Sequence, residues 1–161
     1  MKNTNLILIM ARESGRRDVS KQNLRLVNGK PLLYYVLKTS LECNNCYTVI
    51  STDSDEVKQY AKFYRVPVLD RSKKLTKDDT KLEEIAVDAL NELGKKGLKF
   101  KKCLILHPHF PLIKKKTIQK FFSNLNENVP ILYGYEKEPD DVFGTVNKKF
   151  KLKWASKTTV K

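Results

Sequence analysis

The stretch "LILIMARESGRRDVSKQNLRLVNGKPLL", residues 6–33, sets Arg12, Arg16, Arg17 and Lys21, and then Asn23, directly behind an apolar run. Cations and backbone N–H donors in a loop that leaves a buried strand suit phosphate, because positive charge and orphan donors converge on one point. Two features depart from a glycine-rich phosphate cradle. Between Arg12 and Asn23 there is a single glycine, Gly15, which makes close backbone approach harder. The loop also carries an acid at Glu13, which repels a phosphate unless Arg16 or Arg17 masks it.

Other polar residues follow other apolar runs. Thr52 and Asp53 come after "CYTVIS", Arg71, Asp78 and Asp79 after "VPVL", and His107, Pro108 and His109 after "KCLILH". A basic, donor-rich set with a few carboxylates matches a nucleoside triphosphate and its divalent ion. Plainer roles stand beside these: Arg12 as an ion pair with Glu13, Asn23 as a turn cap, Asp53 as the residue that fixes a strand-to-helix turn. His107 and His109 lack a third and fourth ligand and are expected not to bind metal.

The elements that must position these residues alternate along the chain. Asn5–Met10 reads as a buried strand, Pro31 opens a helix through "PLLYYVLKTSLEC", and "CYTVIS" is the next strand. Ser54 is placed to cap "DEVKQYAKFY", with Asp55 and Glu56 in the first turn. "VPVL" is a short strand. Thr80 and Glu83 have capping-box spacing before "KLEEIAVDALNEL", and Gly94 is placed to end that helix. "KCLILH", "KKTIQKFFSNL" and "PILYGY" continue as strand, helix, strand, and "FGTVNKKFKLKW" reads as a hairpin. Such alternation predicts an α/β fold with a mostly parallel central sheet covered on both faces. Ligands of these folds sit at the carboxyl ends of the strands, so Arg12, Lys21, Asn23 and Arg71 are expected to line one cleft.

At 161 residues and 40% hydrophobic content the chain is expected to form a single domain, 1–161, with a sizeable core. No apolar run approaches the roughly 20 residues of a membrane span, and no signal peptide is read, so the expected location is cytoplasmic, without a membrane partner. Cys43, Cys46 and Cys103 are an odd set without a second ligand pair and are expected to be reduced thiols. The net charge of +14, from 32 Lys and Arg against 18 Asp and Glu, invites a polyanion. Yet the lysines are scattered and no aromatic platform is interleaved with them. A solvated surface is therefore the expectation and nucleic acid is not the expected partner.

The ordered set "ILIMAR", "KQN", "NGKPLL", "VISTDS", "LDRSKKLTKDD" and "LILHPHFPL", from about residue 5 to about residue 135, resembles the CMP-sialic acid synthetases, or acylneuraminate cytidylyltransferases. The resemblance implies a three-layer α/β/α, Rossmann-like nucleotidyltransferase fold. It implies a reaction in which the anomeric hydroxyl of an acidic nine-carbon sugar attacks the α-phosphate of CTP and expels pyrophosphate with Mg²⁺. Carried over by position, Arg12 and Lys21 are the catalytic cations. Arg12, Arg16, Lys21, Asn23, Arg71, Asp78, His107 and Pro108 are the nucleotide-binding set.

Departures from the family pattern are specific. "HPHFPLI" stands where the family has Gln-Pro-Thr-Ser-Pro-Leu-Arg, and Leu82 falls where it often keeps a serine. The family's pair of metal-binding aspartates is not matched, which leaves the metal ligands unknown with Asp53 as the fallback. The chain is expected to lack the family's C-terminal sugar-binding and dimerising section, with a homodimer still compatible. Two further classes stay open: a nucleotide-binding or assembly module of this fold without turnover, and an RNA-binding protein.

Overall fold

The computed structural model describes residues 5–13, 21–77, 79–125, 144–146 and 152–154. Two compact units are formed, Met1–Gln119 and Lys120–Lys161. The first contains β1 (Asn5–Met10), a short β2 (Leu26–Val27) and β3 (Lys30–Pro31), α1 (Leu32–Leu41), β4 (Cys46–Thr52), α2 (Asp55–Phe63), β5 (Val68–Asp70), α3 (Leu82–Lys95) and β6 (Cys103–Leu106). The unit boundary falls within α4 (Lys115–Asn124). In the second unit β7 (Gly144–Val146) pairs antiparallel with β8 (Leu152–Trp154), the hairpin expected from the sequence. The "PILYGY" strand lies outside the described residues. Among the described residues no helix is long and apolar enough to cross a membrane.

Among the described residues four strands form one parallel sheet in the order β5-β4-β1-β6. β1 is central because both of its faces are apolar. Leu6, Leu8 and Met10 point to one side, where they join Val49 and Leu69 in a buried cluster with Ile85, Ala89 and Leu93 of α3. Ile7 and Ile9 point to the other side and are equally buried. α1 rests on β1 and β4, and α2 on β4. Connections β1–α1–β4 and β4–α2–β5 step one way along the sheet and β5–α3–β6 steps back. With right-handed crossovers, α3 therefore covers the face opposite α1 and α2. The layers follow from this: α/β/α, as expected.

Helix sequences explain their own placement. α1 buries Leu33, Val36, Leu37 and Ser40, the i, i+3, i+4, i+7 stripe of a surface helix. α3 buries Ile85, Ala89 and Leu93, one residue per turn. Each large apolar side chain so buried contributes about 1.5–3 kcal/mol.

Helix ends depart from the sequence reading in three places. Thr80 and Glu83 form no capping box: α3 starts one residue later, with Lys81 at the N-cap and no side-chain cap bond. That shift puts Glu83 and Glu84 in the first turn, where they still favour the helix dipole. Gly94 does not end α3. The helix runs through it to Lys95, and Gly97, at φ 75°, is the left-handed residue past the end. Its N–H bonds the Gly94 carbonyl while Leu98 N–H bonds that of Leu93, the double closure of a Schellman motif. Ser54 occupies the N-cap of α2, but its hydroxyl donates to Glu56 Oε2 rather than capping a backbone N–H.

Asn28 and Gly29 join β2 to β3. Asn28 and Gly29 have φ of 49° and 73°, the paired positive angles of a type I′ hairpin turn. This hairpin returns the chain from the basic loop to α1, and Leu32 N–H bonds the Arg25 carbonyl across it.

Candidate functional site

The sheet order reverses between β1 and β6, so the carboxyl ends of β1, β4, β5 and β6 frame the crevice where ligands of such folds bind. Residues leaving β1 are held there by three side chains from elsewhere in the chain. Thr52, fully buried at the end of β4, donates its hydroxyl to the Ala11 carbonyl and accepts the Ser54 N–H at 3.1 Å. Asn23 Nδ2 donates to the Arg12 carbonyl at 2.7 Å. Asp53 Oδ1 accepts the Glu13 N–H at 2.8 Å. Consecutive backbone groups of residues 11, 12 and 13 are thus tied down one after another.

That clamp sets the position of Arg12, whose Nη1 reaches the Thr76 carbonyl at 3.4 Å, beyond the end of β5. Arg71 enters from β5. Arg71 is only 6% exposed, and its Nε and Nη2 donate to Ser51 Oγ at 3.2 Å and the Ser51 carbonyl at 3.0 Å. Burial pushes the Arg71 guanidinium below its ordinary value, Asp53 opposes that shift and Arg12 adds to it. Arg12, Asp53 and Arg71 are therefore electrostatic neighbours. Two cations and one carboxylate thus act on one another's charge at one sheet edge.

Lys21 lies at the rim, in a left-handed conformation with φ 53° ahead of the short 3₁₀ turn Gln22–Leu24. Its Nζ pairs with Glu56 Oε1 at 2.5 Å, and Ser54 Oγ donates to the other oxygen of that carboxylate at 3.0 Å. Glu56 raises the Lys21 ammonium above its usual value, first through this bond, with a smaller contribution from Glu13. In return Lys21, then Ser54, lower the Glu56 carboxyl.

Past β6, His107 lies one residue beyond the ladder pair Ile9–Leu106, beside the end of β1. The Phe110 N–H closes a turn onto its carbonyl at 3.1 Å, with Pro108 buried inside it. The His107 and His109 rings stack at 4.9 Å and 23°, and Phe110 lies 4.6 Å from His109. An aromatic stack thus borders the crevice where small hydroxyl side chains were the alternative.

Of the sequence-predicted residues, Arg12, Asn23, Asp53 and Arg71 come together, and His107 and Pro108 lie at the neighbouring strand end. Lys21 reaches the same edge through Glu56. Asn23 spends its amide N–H on backbone, the turn-fixing role, and Asp53 likewise fixes the loop. Arg16, Arg17 and Asp78 lie outside the described residues. Ser51 was not singled out from the sequence and Glu56 was read only as a first-turn helix acid, since nothing local marks the partner of a buried arginine or of a rim lysine 35 positions away. Among the described residues no group of three or more His, Cys, Asp or Glu could hold a metal ion. Asp53 has one oxygen engaged, and Asp70 is bound to Lys58 at 2.9 Å. These residues alone do not make a Mg²⁺ site. The three cysteines are free thiols.

An open groove of about 430 Å³ lies elsewhere, along α3, lined by Leu75, Glu83, Glu84, Val87, Asp88 and Asn91. Its carboxylates are the wrong sign for a polyphosphate, so the chemistry favours the basic sheet edge.

Comparison with known proteins agrees with this geometry. A family model described as Cytidylyltransferase matches residues 6–157. The CMP-N,N'-diacetyllegionaminic acid synthase of Legionella pneumophila is 29% identical over 117 residues, which cover 71% of this chain and 50% of that protein. N-acylneuraminate cytidylyltransferase B of Danio rerio is 33% identical over 73 residues, 45% of this chain and 17% of that one. The chain thus matches half or less of the length of these relatives. Among solved structures, a CMP:2-keto-3-deoxy-manno-octonic acid synthetase complexed with CTP superposes with a TM-score of 0.64 at 16% identity, over 76% of this chain and 47% of the other. This last likeness is one of fold.

Proposed function

This chain belongs to the cytidylyltransferase family, and we propose that it transfers CMP from CTP to an acidic sugar of the nine-carbon, sialic-acid-like class. The observation that carries the reading is the convergence of Arg12 and Arg71 at the carboxyl edge of the sheet, with the backbone of residues 11–13 clamped in place. Both relatives named above act on sugars of this kind by their names, and the sugar's carboxylate and the triphosphate both call for cations.

In the reaction the sugar hydroxyl gives up its proton to solvent as its oxygen bonds to the α-phosphorus, the bond to the bridging oxygen breaks, and pyrophosphate leaves with the electron pair. Little covalent chemistry is asked of the protein. Positioning an in-line attack and neutralising the charge that builds on the phosphates supply the acceleration. Arg12 is set by the clamp on residues 11–13 and serves as the phosphate anchor. Arg71, which keeps only 6% of its surface in contact with solvent, faces a nucleotide from the β5 side. Lys21 supplies mobile charge: it exchanges Glu56 for the departing pyrophosphate, so Glu56 holds its place until substrate arrives. Asn23 and Asp53 act through the backbone they hold. Mg²⁺ belongs to this proposal as an expected requirement, and no step above is assigned to it because the described residues form no site for it.

The test is pyrophosphate release from each of the four NTPs with Mg²⁺ and a panel of nonulosonic acids. Release from CTP alone, dependent on a nine-carbon acid and reduced at least 100-fold in Arg12→Ala, is expected. Release that is indifferent to the base or the sugar, or unaltered by Arg12→Ala, would overturn it.

A further inference from the structure

The sequence shows no aromatic residues threaded through its lysine runs, but folding builds such a surface from two helices. Tyr34 and Tyr35 on α1 and Tyr60, Phe63 and Tyr64 at the end of α2 form a continuous ring cluster. Tyr34 lies 5.4 Å from Tyr35 and 6.3 Å from Tyr64, and Tyr64 lies 5.1 Å from Tyr60 and 5.2 Å from Phe63. The tyrosines are half-buried, whereas Phe63 is 80% exposed. A ring so exposed beside four others does not serve the core.

Cations frame this cluster. Lys30 and Lys38 hold their ammonium groups 5.6 Å and 6.0 Å from the Tyr34 ring centre, and Lys62 and Arg65 flank Phe63 and Tyr64 in sequence. All four are exposed, and none has a carboxylate partner among the described residues. The acids at the start of α2 are engaged elsewhere, Asp55 by Lys58 and Glu56 by Lys21. The patch is both π-rich and positive.

We infer that this face of α1 and α2 binds single-stranded nucleic acid, with bases stacked on Phe63 and its neighbouring tyrosines and phosphates on Lys30, Lys38, Lys62 and Arg65. Stacking needs unpaired bases and tolerates any of them, and the cations track the backbone. Charge decides against the other occupant of an apolar patch. A second copy would set these cations against their own duplicates, and a net charge of +14 adds to that repulsion. A polyanion with aromatic faces satisfies both halves of the surface. The residues of this patch are distinct from those named at the sheet edge, and the inference does not depend on the reading of that edge.

The experiment titrates a fluorescein-labelled 12-nucleotide oligouridylate with the full chain, by anisotropy. Four phosphate contacts give an affinity that falls about 50-fold between 50 and 200 mM salt. Phe63→Ala, an exposed position whose loss leaves the core intact, weakens binding about tenfold at unchanged salt slope. Lys62→Ala lowers the slope by about 0.7. A duplex of equal length binds more weakly, and excess CTP with Mg²⁺ does not displace the oligonucleotide. Equal or tighter binding of duplex, or indifference to Phe63→Ala, would reduce the interaction to general lysine attraction and overturn the inference. Displacement by CTP would move the oligonucleotide to the sheet edge, and a dimer in sedimentation that Phe63→Ala dissolves would give the face to a second copy. Either result overturns it too.

Discussion

Replacing Thr52 by valine removes one hydroxyl at nearly constant volume, and the structure says what that hydroxyl holds. It donates to the Ala11 carbonyl and accepts the Ser54 N–H, in a position with no solvent exposure. Valine strands both groups. Each buried orphan costs about 1–3 kcal/mol, so the pair costs roughly 3 kcal/mol. For a chain of this size that is a fall in Tm of about 6–12 °C. Thr52→Ser keeps the hydroxyl and loses a methyl, about 0.8 kcal/mol, or roughly 2–3 °C. Thermal unfolding followed by circular dichroism should therefore rank wild type above serine and serine above valine. CTP turnover should fall further than stability in Thr52→Val at temperatures where all three are folded, because the clamp on residues 11–13 sets Arg12. A valine variant within 2 °C of wild type, or more stable than the serine variant, would refute the clamp as the device that places the phosphate anchor.

Glu13→Gly removes an exposed carboxylate from the proposed phosphate loop and leaves the N–H that Asp53 accepts. A carboxylate about 4 Å from a phosphate costs roughly 1–4 kcal/mol, so CTP affinity in a titration with Mg²⁺ should rise by about one to two powers of ten; no change would mean the acid points away from the nucleotide. Arg65 sits at φ 54° where α2 closes through Val66 N–H to the Ala61 carbonyl and Arg65 N–H to that of Lys62, a position suited to glycine. Arg65→Gly should raise Tm by about 1–4 °C, and a fall would show that its side chain contributes more than its backbone strain costs. Burial pushes the Cys46 thiol up to about 11, with Cys43 adding to the shift, and the Cys103 thiol up to about 12. Burial disfavours the thiolate, so iodoacetamide labelling of Cys46 at pH 8 should run about 100-fold slower in the native than in the unfolded chain and accelerate only towards pH 11. Equal native and unfolded rates would contradict this.

Alternation of apolar runs with amphipathic stretches was enough to order the main strands and helices, because burial on both faces demands continuous apolar residues in β1 and a one-sided stripe in α1 and α3. The ordered motifs carried the family, and the rule that ligands gather at strand ends put Arg12, Lys21, Asn23 and Arg71 at one edge, where Asp53 joins them. What each residue does there was decided by contacts across the chain. Asn23 bonds the backbone 11 positions away, Arg71 is buried against Ser51 20 positions away, and Lys21 is held by Glu56, 35 away. None of these pairings has a local signature, since a hydrogen bond is selected by the distance and desolvation that packing imposes. Helix ends show the same division: Gly94 was the expected stop, whereas α3, packed against Leu6, Leu8 and Val49, runs on to Lys95 with Gly97 as the left-handed residue past its end. The aromatic face is wholly tertiary, for Tyr34 and Tyr64 are 30 residues apart and meet only because right-handed crossovers lay α1 and α2 on the same side of the sheet.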